Sequence, residues 1–208
     1  MGASWFYRDS DGECSQRIKG VSERSNTVKH MTNELEERLP FLATGQAANY
    51  TDIGMLPVRV VLHDVRSLYN VGAFFRTADA VGIDRICLSG ITGYPTQRQV
   101  RKTALGAEEH VSWEALSDVI SYIDEMRRQQ FEIVAIETCA RSVDLFDWQP
   151  SFPVAVLFGN EVTGVSPQLL DRCDTYVRLP MRGIKYSLNV ATAGGVVLYE
   201  LLRKYRQL

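Results

Sequence analysis

Residues 179–199 read LPMRGIKYSLNVATAGGVVLY, and this stretch decides the fold. The apolar run that leads into it stops at Pro180, which cannot donate a hydrogen bond to a central strand. A short loop containing Gly183 follows, and Ser187 stands where a helix N-cap belongs. Apolar residues then recur at helical spacing as far as Tyr205. The stretch therefore predicts a strand, a polar loop and a helix. The loop lies at the carboxyl end of the strand, where open α/β sheets bind ligands.

The start of this predicted helix is built from small residues, Ala-Thr-Ala-Gly-Gly at positions 191–195. A glycine inside a helix costs about 1 kcal/mol relative to alanine. Two adjacent glycines therefore need a compensating contact. We expect this face of the helix to lie close against other backbone or a ligand.

From Pro57 onward, apolar runs alternate with amphipathic segments. The predicted strands cover residues 58–62, 83–88, 110–113, 131–136, 154–158 and 176–179. The predicted helices cover residues 71–81, 115–130, 167–173 and 188–206, with a helical or irregular basic stretch at 97–105. This alternation predicts an α/β fold with a mostly parallel sheet and helices on both faces. We assign residues 57–208 to this domain. Residues 1–56 are interpreted as an N-terminal helical extension and linker, with a helix over 27–42.

The composition narrows the class of protein. The chain has 208 residues, of which 45% are hydrophobic and 23% charged, and this is typical of a globular protein. Its formal net charge of -2 means that a nucleic acid would have to bind a local basic patch. The four cysteines form no C-x-x-C pair, so we expect neither a metal site nor a disulfide framework. No apolar run is long enough to cross a membrane, and charged residues near the N-terminus argue against a secretory signal. We expect a cytoplasmic protein.

Polar residues follow four of the predicted strands. The four clusters are Asn70 with Gly72 and Arg76, Glu137 with Thr138, Gly159-Asn160-Glu161 with Gly164, and the loop at 180–189. The carboxyl ends of parallel strands meet at one edge of a sheet, so these clusters can converge on one site.

The clusters also have structural interpretations. Asn70 could be a helix cap and Gly72 a packing glycine. Glu161 could be an ion-pair partner for Arg76, because a guanidinium on the buried side of a helix needs a carboxylate or a phosphate. Asp64 is interpreted as a turn residue.

Several common signatures are missing from the sequence. It contains no Walker A, H-E-x-x-H or G-x-S-x-G motif, and a dinucleotide-binding oxidoreductase would need a G-x-G-x-x-G that is not there. Basic residues that suit an RNA phosphate backbone flank the predicted site. They are Arg98, Arg101, Lys102, Arg182 and Lys185.

Three motifs resemble those of the SpoU (TrmH-like) RNA 2'-O-ribose methyltransferases, a family of the SPOUT class. They are NVGAFFRTA at 70–78, LFGNE at 157–161 with Gly164, and LPM at 179–181 with SLNV at 187–190. The segment at 101–107 also resembles a stretch between the first two motifs. The resemblance spans about residues 58–199, in order and with similar spacing.

The resemblance implies a C-terminal deep trefoil knot, S-adenosylmethionine as cofactor, RNA as substrate, and a homodimer with its site at the subunit interface. It implies a cofactor-binding set of Glu137, Thr138, Gly159, Asn160, Gly164, Leu179, Pro180, Met181, Ser187 and Leu188. It implies a catalytic and substrate-positioning set of Asn70, Arg76, Glu161, Ser187 and Asn189. The segment before residue 57 is short for a separate RNA-binding domain, which favours transfer RNA over ribosomal RNA.

An arginine side chain is not easily deprotonated in a protein. We therefore expect Arg76 to hold the RNA phosphate beside the 2'-hydroxyl, with Glu161 orienting the guanidinium. The alternative function is a non-catalytic RNA-binding or scaffold protein of the same fold. The intact predicted catalytic set argues against this alternative. Val162 and Ala191 depart from residues common in the family, and these departures concern the choice of target more than the chemistry.

Overall fold

A computed structural model describes residues 54–208. In chain order the elements are β1 (Leu56–His63), α1 (Leu68–Val81), β2 (Ile83–Ser89), α2 (Arg98–Ala104), β3 (Trp113–Leu116), α3 (Val119–Arg128), β4 (Glu132–Ile136), β5 (Val143–Asp144), β6 (Val154–Phe158), α4 (Pro167–Leu170), β7 (Thr175–Arg178) and α5 (Val190–Tyr205). A 3-10 turn at Ala107–Glu109 lies between α2 and β3. The predicted helix over 27–42 lies outside the described residues.

The seven strands form one sheet in the order β3-β2-β1-β6-β4-β7-β5, and every strand pair is parallel. β1 pairs with its sequence neighbour β2 on one side and with the distant β6 on the other. All the carboxyl ends therefore lie at one edge of the sheet. This arrangement confirms the predicted α/β fold.

Both faces of the sheet are covered by helices. In β1, Val58, Val60 and Leu62 belong to a core shared with α1 and α5. Val61 points to the opposite face and belongs to a core with Ile123 of α3. A strand buried on both faces reads as a continuous apolar run, which is why β1 and β6 could be predicted closely.

The predicted bounds of β3 and α3 are wrong, and one strand was not predicted. The strand predicted at 110–113 lies instead at Trp113–Leu116, because a 3-10 turn at Ala107–Glu109, capped by His110, precedes it. Helix α3 begins only at Val119, since the Asp118 side chain caps it by accepting from the amides of Ile120 and Ser121. The two-residue edge strand β5 has no counterpart among the predicted elements.

The N-cap of α5 is Asn189 rather than the predicted Ser187. The Asn189 Oδ1 accepts from the backbone amides of Ala191 and Thr192 at 3.0 and 3.2 Å. Both residue types are good caps, but the helix starts at Val190, and only Asn189 is placed to reach its first-turn amides.

The small residues of α5 pack closely on α1. A Cβ atom at Gly194 would overlap the ring of Phe74, whereas one at Gly195 would meet nothing within 4 Å. A close contact is therefore present at Gly194, but it is made with an aromatic side chain and not with the backbone or ligand that the sequence predicted. Within residues 54–208, no helix is long and apolar enough to cross a membrane.

Candidate active site

A cavity of about 330 Å³ opens at the carboxyl ends of β4, β6 and β7. Nine of the ten residues predicted to bind the cofactor line it, and only Pro180 does not. The nine are Glu137, Thr138, Gly159, Asn160, Gly164, Leu179, Met181, Ser187 and Leu188. The convergence of polar clusters at this edge of the sheet is therefore observed for the segments after β4, β6 and β7.

The Glu161 carboxylate is held at the rim of this cavity by the loop after β1. Its Oε2 accepts from the backbone amide of Arg66 at 2.9 Å, and its Oε1 accepts from the amide of Ser67 at 3.0 Å. The side chain of Asn70 donates to the same Oε1 at 2.9 Å. Partial burial acts to raise the pKa of Glu161, but these hydrogen bonds outweigh it and lower the pKa below its usual value. Glu161 is therefore an anchored carboxylate anion at neutral pH.

Asn70 also connects α1 to the start of α5. Its Oδ1 accepts from the side-chain amide of Asn189 at 3.1 Å. Glu161, Asn70 and Asn189 thus form one hydrogen-bonded chain that joins the segments after β6, β1 and β7. The interpretation of Asn70 as a helix cap is wrong, because the α1 cap is Ser67, whose hydroxyl accepts from the Asn70 amide.

One wall of the cavity, residues 159–165, is firmly held. Asn160 and Gly164 exchange two backbone hydrogen bonds of 3.1 and 2.9 Å, and the Asn160 side chain donates to the Asp64 carbonyl at 2.9 Å. On the other side, the Glu137 Oε2 accepts from the Val165 amide at 2.9 Å. A Cβ at Gly159 would overlap the backbone of residues 164–165, so only glycine fits there.

The opposite wall, residues 180–188, is much more exposed. The exposed fraction is 92% for Ile184 and 85% for Tyr186. In the part of the chain that the structure describes, residues 180–188 make no hydrogen bond that fixes them to the rest of the domain. The predicted RNA-binding residues Arg182 and Lys185 lie on this exposed wall.

Arg76 lies apart from the cavity. It follows Asn70 by six positions on α1, which places it about 9 Å further along the helix and about 120° around it. Its side chain is exposed and lines a second cavity of about 530 Å³ together with Lys102 and Tyr199. The buried face of α1 carries Val71, Phe74, Phe75 and Ala78, and it leaves Arg76 outside.

The expected pairing of Arg76 with Glu161 is not formed within this chain. Among the described residues, the Glu161 carboxylate is bound by backbone amides and Asn70, and Arg76 takes part in no ion pair. The sequence indicated that Arg76 points to the buried side of α1, and this expectation is wrong. If Phe74 and Phe75 define the buried face of α1, the helical periodicity places Arg76 at the surface.

The structure also brings in groups that the sequence did not indicate. The two amides that hold Glu161 belong to the backbone of residues 66 and 67, and a backbone donor has no side-chain signature. Arg178, Tyr186 and Val162 line the cavity as well. The N-cap signal of Ser67 was the one available indication that the turn before α1 is fixed.

The remaining predicted RNA-binding residues lie on α2. Arg98, Arg101 and Lys102 are exposed, and the Arg101 Nε donates to the Pro95 carbonyl at 3.0 Å. Helix α2 packs tightly on α1, since a Cβ at Gly72 would overlap Thr103 and the Val100 carbonyl. Lys102 and Arg76 are therefore neighbours on one surface.

Comparison with known proteins identifies relatives of this fold and site. A putative TrmH family tRNA/rRNA methyltransferase of Staphylococcus haemolyticus is 30% identical over 148 residues, which are 71% of this chain and 59% of that protein. The chain spans about 60% of the length of the first such relatives.

Two solved structures share the fold at comparable similarity. The AdoMet-bound rRNA methyltransferase of Sinorhizobium meliloti has a TM-score of 0.66 and 30% identity, covering 72% of this chain and 60% of that one. The TrmH/SpoU tRNA modifying enzyme of A. aeolicus has a TM-score of 0.68 and 28% identity, covering 74% and 77%. The profile of the SpoU rRNA Methylase family matches residues 57–199, which include every predicted site residue. The chain belongs to the SpoU rRNA Methylase family.

Proposed function

We propose that this protein transfers a methyl group from S-adenosylmethionine to a ribose 2'-hydroxyl of an RNA. The observation that carries the proposal is the cavity at the carboxyl edge of the sheet together with the Glu161–Asn70–Asn189 chain at its rim. A small-molecule pocket thus stands beside an anchored anion and two amides, which can hold a substrate group against the bound cofactor.

The cavity suits S-adenosylmethionine in size and chemistry. Its volume of about 330 Å³ lies at the lower end of the range for small-molecule sites. Apolar side chains such as Leu179 and Met181 alternate with polar groups such as Ser187 and Glu137. The Glu137 carboxylate accepts hydrogen bonds from the amides of Thr138 and Val165. These bonds fix its position in the cavity wall. When bound, the cofactor supplies a methyl group on a positively charged sulfur.

Glu161 can contribute to substrate positioning. A carboxylate has about four lone-pair sites, and three of those on Glu161 are used by Arg66, Ser67 and Asn70. A ribose hydroxyl that donates to Oε2 would share this oxygen with the Arg66 amide. The hydrogen bonds that fix Glu161 also fix its direction, so the hydroxyl is oriented before reaction.

A homodimer would complete the site. Within one chain, Arg76 lies on a different face of α1 from Asn70 and lines a different cavity. A second copy packed against this face would bring its own cavity rim near Arg76, where the guanidinium can hold an RNA phosphate.

We also propose the deep trefoil knot. The family resemblance implies the knot, and the crossover that takes the chain from β6 past β4 to β7 is compatible with it.

Transfer RNA is the proposed substrate over ribosomal RNA, and the cytoplasm is the proposed location. Transfer RNA is supported by the A. aeolicus structure of similar fold, which is that of a tRNA modifying enzyme. Exposed Arg98, Arg101, Lys102, Arg182 and Lys185 provide the positive charge that RNA phosphates need.

Calorimetric titration of the purified full chain with S-adenosylmethionine, followed by transfer of a radiolabelled methyl group to bulk transfer RNA and ribosomal RNA, tests the proposal. A 2'-O-methyl group blocks alkaline cleavage of the adjacent phosphodiester, so alkali-resistant labelled dinucleotides are expected. Label recovered in mononucleotides would contradict the ribose assignment, because a methylated base leaves the 2'-hydroxyl free and the phosphodiester cleavable. RNA binding without cofactor binding would favour the non-catalytic alternative.

The role of Arg76 is tested with Arg76→Lys. A lysine keeps the charge but loses the bidentate geometry. We expect methyl transfer to fall while S-adenosylmethionine affinity stays unchanged, because Arg76 does not line the cofactor cavity. Near-normal turnover with normal RNA affinity would contradict the positioning role.

A further inference from the structure

A pair of aromatic rings is exposed at the β3 edge of the sheet. Tyr94, in the loop after β2, stacks on Trp113 at the start of β3, with ring centroids 6.4 Å apart and an interplanar angle of 28°. The two residues remain 38% and 37% exposed. More than a third of the surface of each residue is therefore open to solvent.

The loop that presents Tyr94 is well fixed. The Thr92 hydroxyl donates to the Leu62 carbonyl at 3.1 Å and accepts from the Val65 amide at 3.0 Å. The Tyr94 amide donates to the Gln97 Oε1 at 2.9 Å, and the Gln97 amide returns a bond of 3.0 Å to the Tyr94 carbonyl. An aromatic ring on such a loop loses little conformational entropy when a ligand stacks on it.

The same loop is connected to the candidate active site. The Asp64 Oδ1 accepts from the Ile91 amide at 2.9 Å, which joins the loop after β2 to the loop after β1. Two and three residues further on, the backbone amides of Arg66 and Ser67 donate to Glu161. The loop that carries Tyr94 is thus connected, through the loop after β1, to Glu161 at the rim of the cavity.

The helix that follows Tyr94 has a charge that favours a polyanion. Helix α2 begins four residues after Tyr94 and carries Arg98, Arg101 and Lys102, with no acidic residue among its seven. The Arg101 Nε donates to the Pro95 carbonyl, so this cation is fastened directly beside Tyr94. Aromatic rings next to basic side chains are the combination that binds single-stranded nucleic acids.

We propose that Tyr94 and Trp113 form a stacking platform for an unpaired nucleobase of the RNA substrate, next to the nucleotide presented to the cavity. The proposal rests on the proposed RNA methyltransferase function and deepens it. It adds a site at which bases, rather than phosphates, are held. Such stacking tolerates different bases, so the platform selects single-stranded or flipped-out segments over paired ones.

The test compares the affinity for single-stranded oligoadenylate with the affinity for an abasic ribose-phosphate oligomer of the same length. Phosphate contacts are common to both, so the affinity ratio reports base stacking. We expect the wild-type chain to prefer oligoadenylate by roughly 5- to 100-fold, as base–aromatic stacking typically contributes. Tyr94→Ala should lower this ratio strongly, and Tyr94→Phe should keep it because the ring remains. Oligoadenylate should also quench tryptophan fluorescence, and the quenching should disappear in Trp113→Phe.

Phe146→Ala is the matched control. Phe146 is 60% exposed and follows β5, at the opposite edge of the seven-stranded sheet. The Phe146→Ala variant should have the same ratio of oligoadenylate affinity to abasic-oligomer affinity as the wild-type chain. An unchanged ratio in Tyr94→Ala, or an equal fall in Phe146→Ala, would overturn the proposal.

S-adenosylmethionine titration of every variant separates this inference from the proposed function. Normal cofactor binding and methyl transfer with an unaltered ratio in Tyr94→Ala would remove the platform alone. Absent cofactor binding in the wild-type chain would remove the proposed enzyme, whatever the ratio.

Discussion

The side-chain amide of Asn189 donates to Oδ1 of Asn70 at 3.1 Å, while its own Oδ1 caps helix α5. One residue thus stabilises a helix and supports the site, and the two roles can be separated. Asn189→Asp keeps a good cap but loses the donor to Asn70. We expect near-wild-type thermal stability with reduced methyl transfer.

Asn189→Ala serves as the comparison for this variant. It loses both roles and should cost about 1 kcal/mol in the free energy of unfolding. Equal destabilisation of the two variants, measured by chemical denaturation, would show that capping by Asn189 contributes nothing.

Glu161 should make stability depend on pH. Its pKa is lowered in the folded protein, since hydrogen bonds from Arg66, Ser67 and Asn70 outweigh the effect of burial. The stabilisation is therefore complete above the unfolded pKa of about 4.3 and is lost as the pH falls through the folded pKa. We expect wild type to lose more stability than Glu161→Gln on acidification below about pH 5. Denaturation curves across this range measure the difference, and parallel curves would contradict the prediction.

Two adjacent glycines of α5 should respond in opposite ways to alanine. Gly194→Ala places a methyl group into the ring of Phe74 and should cost about 1–3 kcal/mol through overpacking. Gly195→Ala meets nothing within 4 Å and should stabilise the helix by about 1 kcal/mol. Thermal denaturation of both variants provides the comparison. A destabilised Gly195→Ala would indicate that another surface covers this position.

Lys204 should stabilise the folded domain substantially. It is 7% exposed, and its Nζ donates to the carbonyls of Leu145, Phe146 and Trp148. Lys204→Met leaves these carbonyls without the donor and should lower the free energy of unfolding by about 2 kcal/mol. Arg206→Met, at an exposed position two residues away, should change it by less than about 0.5 kcal/mol. Equal effects in urea denaturation would contradict a special role for Lys204.

The sequence predicted the centre of the fold better than its edges. Strands β1 and β6 are buried on both faces, so their apolar runs are unambiguous. β3 is half exposed in the alternate positions Trp113 and Ala115, and β5 has two residues, so neither produces a strong pattern. The start of α5 was misplaced because Ser187 and Asn189 are both competent caps, and three-dimensional placement decides between them.

The sequence predicted the site residues that act through their side chains. It did not indicate the groups that act through backbone amides. Asn70, Glu161 and Asn189 do converge, but the partners of Glu161 are the amides of residues 66 and 67. Arg76 was predicted beside Glu161, yet the helical period of α1 turns it outward. Arg76 was assigned to the buried side because its neighbours in the sequence are apolar, without regard to its position around the helix.

The order of strands in the sheet has a consequence for synthesis on the ribosome. β1, β2 and β3 can assemble as soon as residues 56–116 have emerged, because each pairs with a neighbour made next to it. β4 cannot pair at that stage, since both of its partners, β6 and β7, are translated after it. The apolar segment Glu132–Ile136 therefore stays unpaired until β6 and β7 have been synthesised. We expect a nascent chain ending before residue 154 to need protection by a chaperone, and the cavity at the carboxyl ends of β4, β6 and β7 to be the last part of the domain to become native.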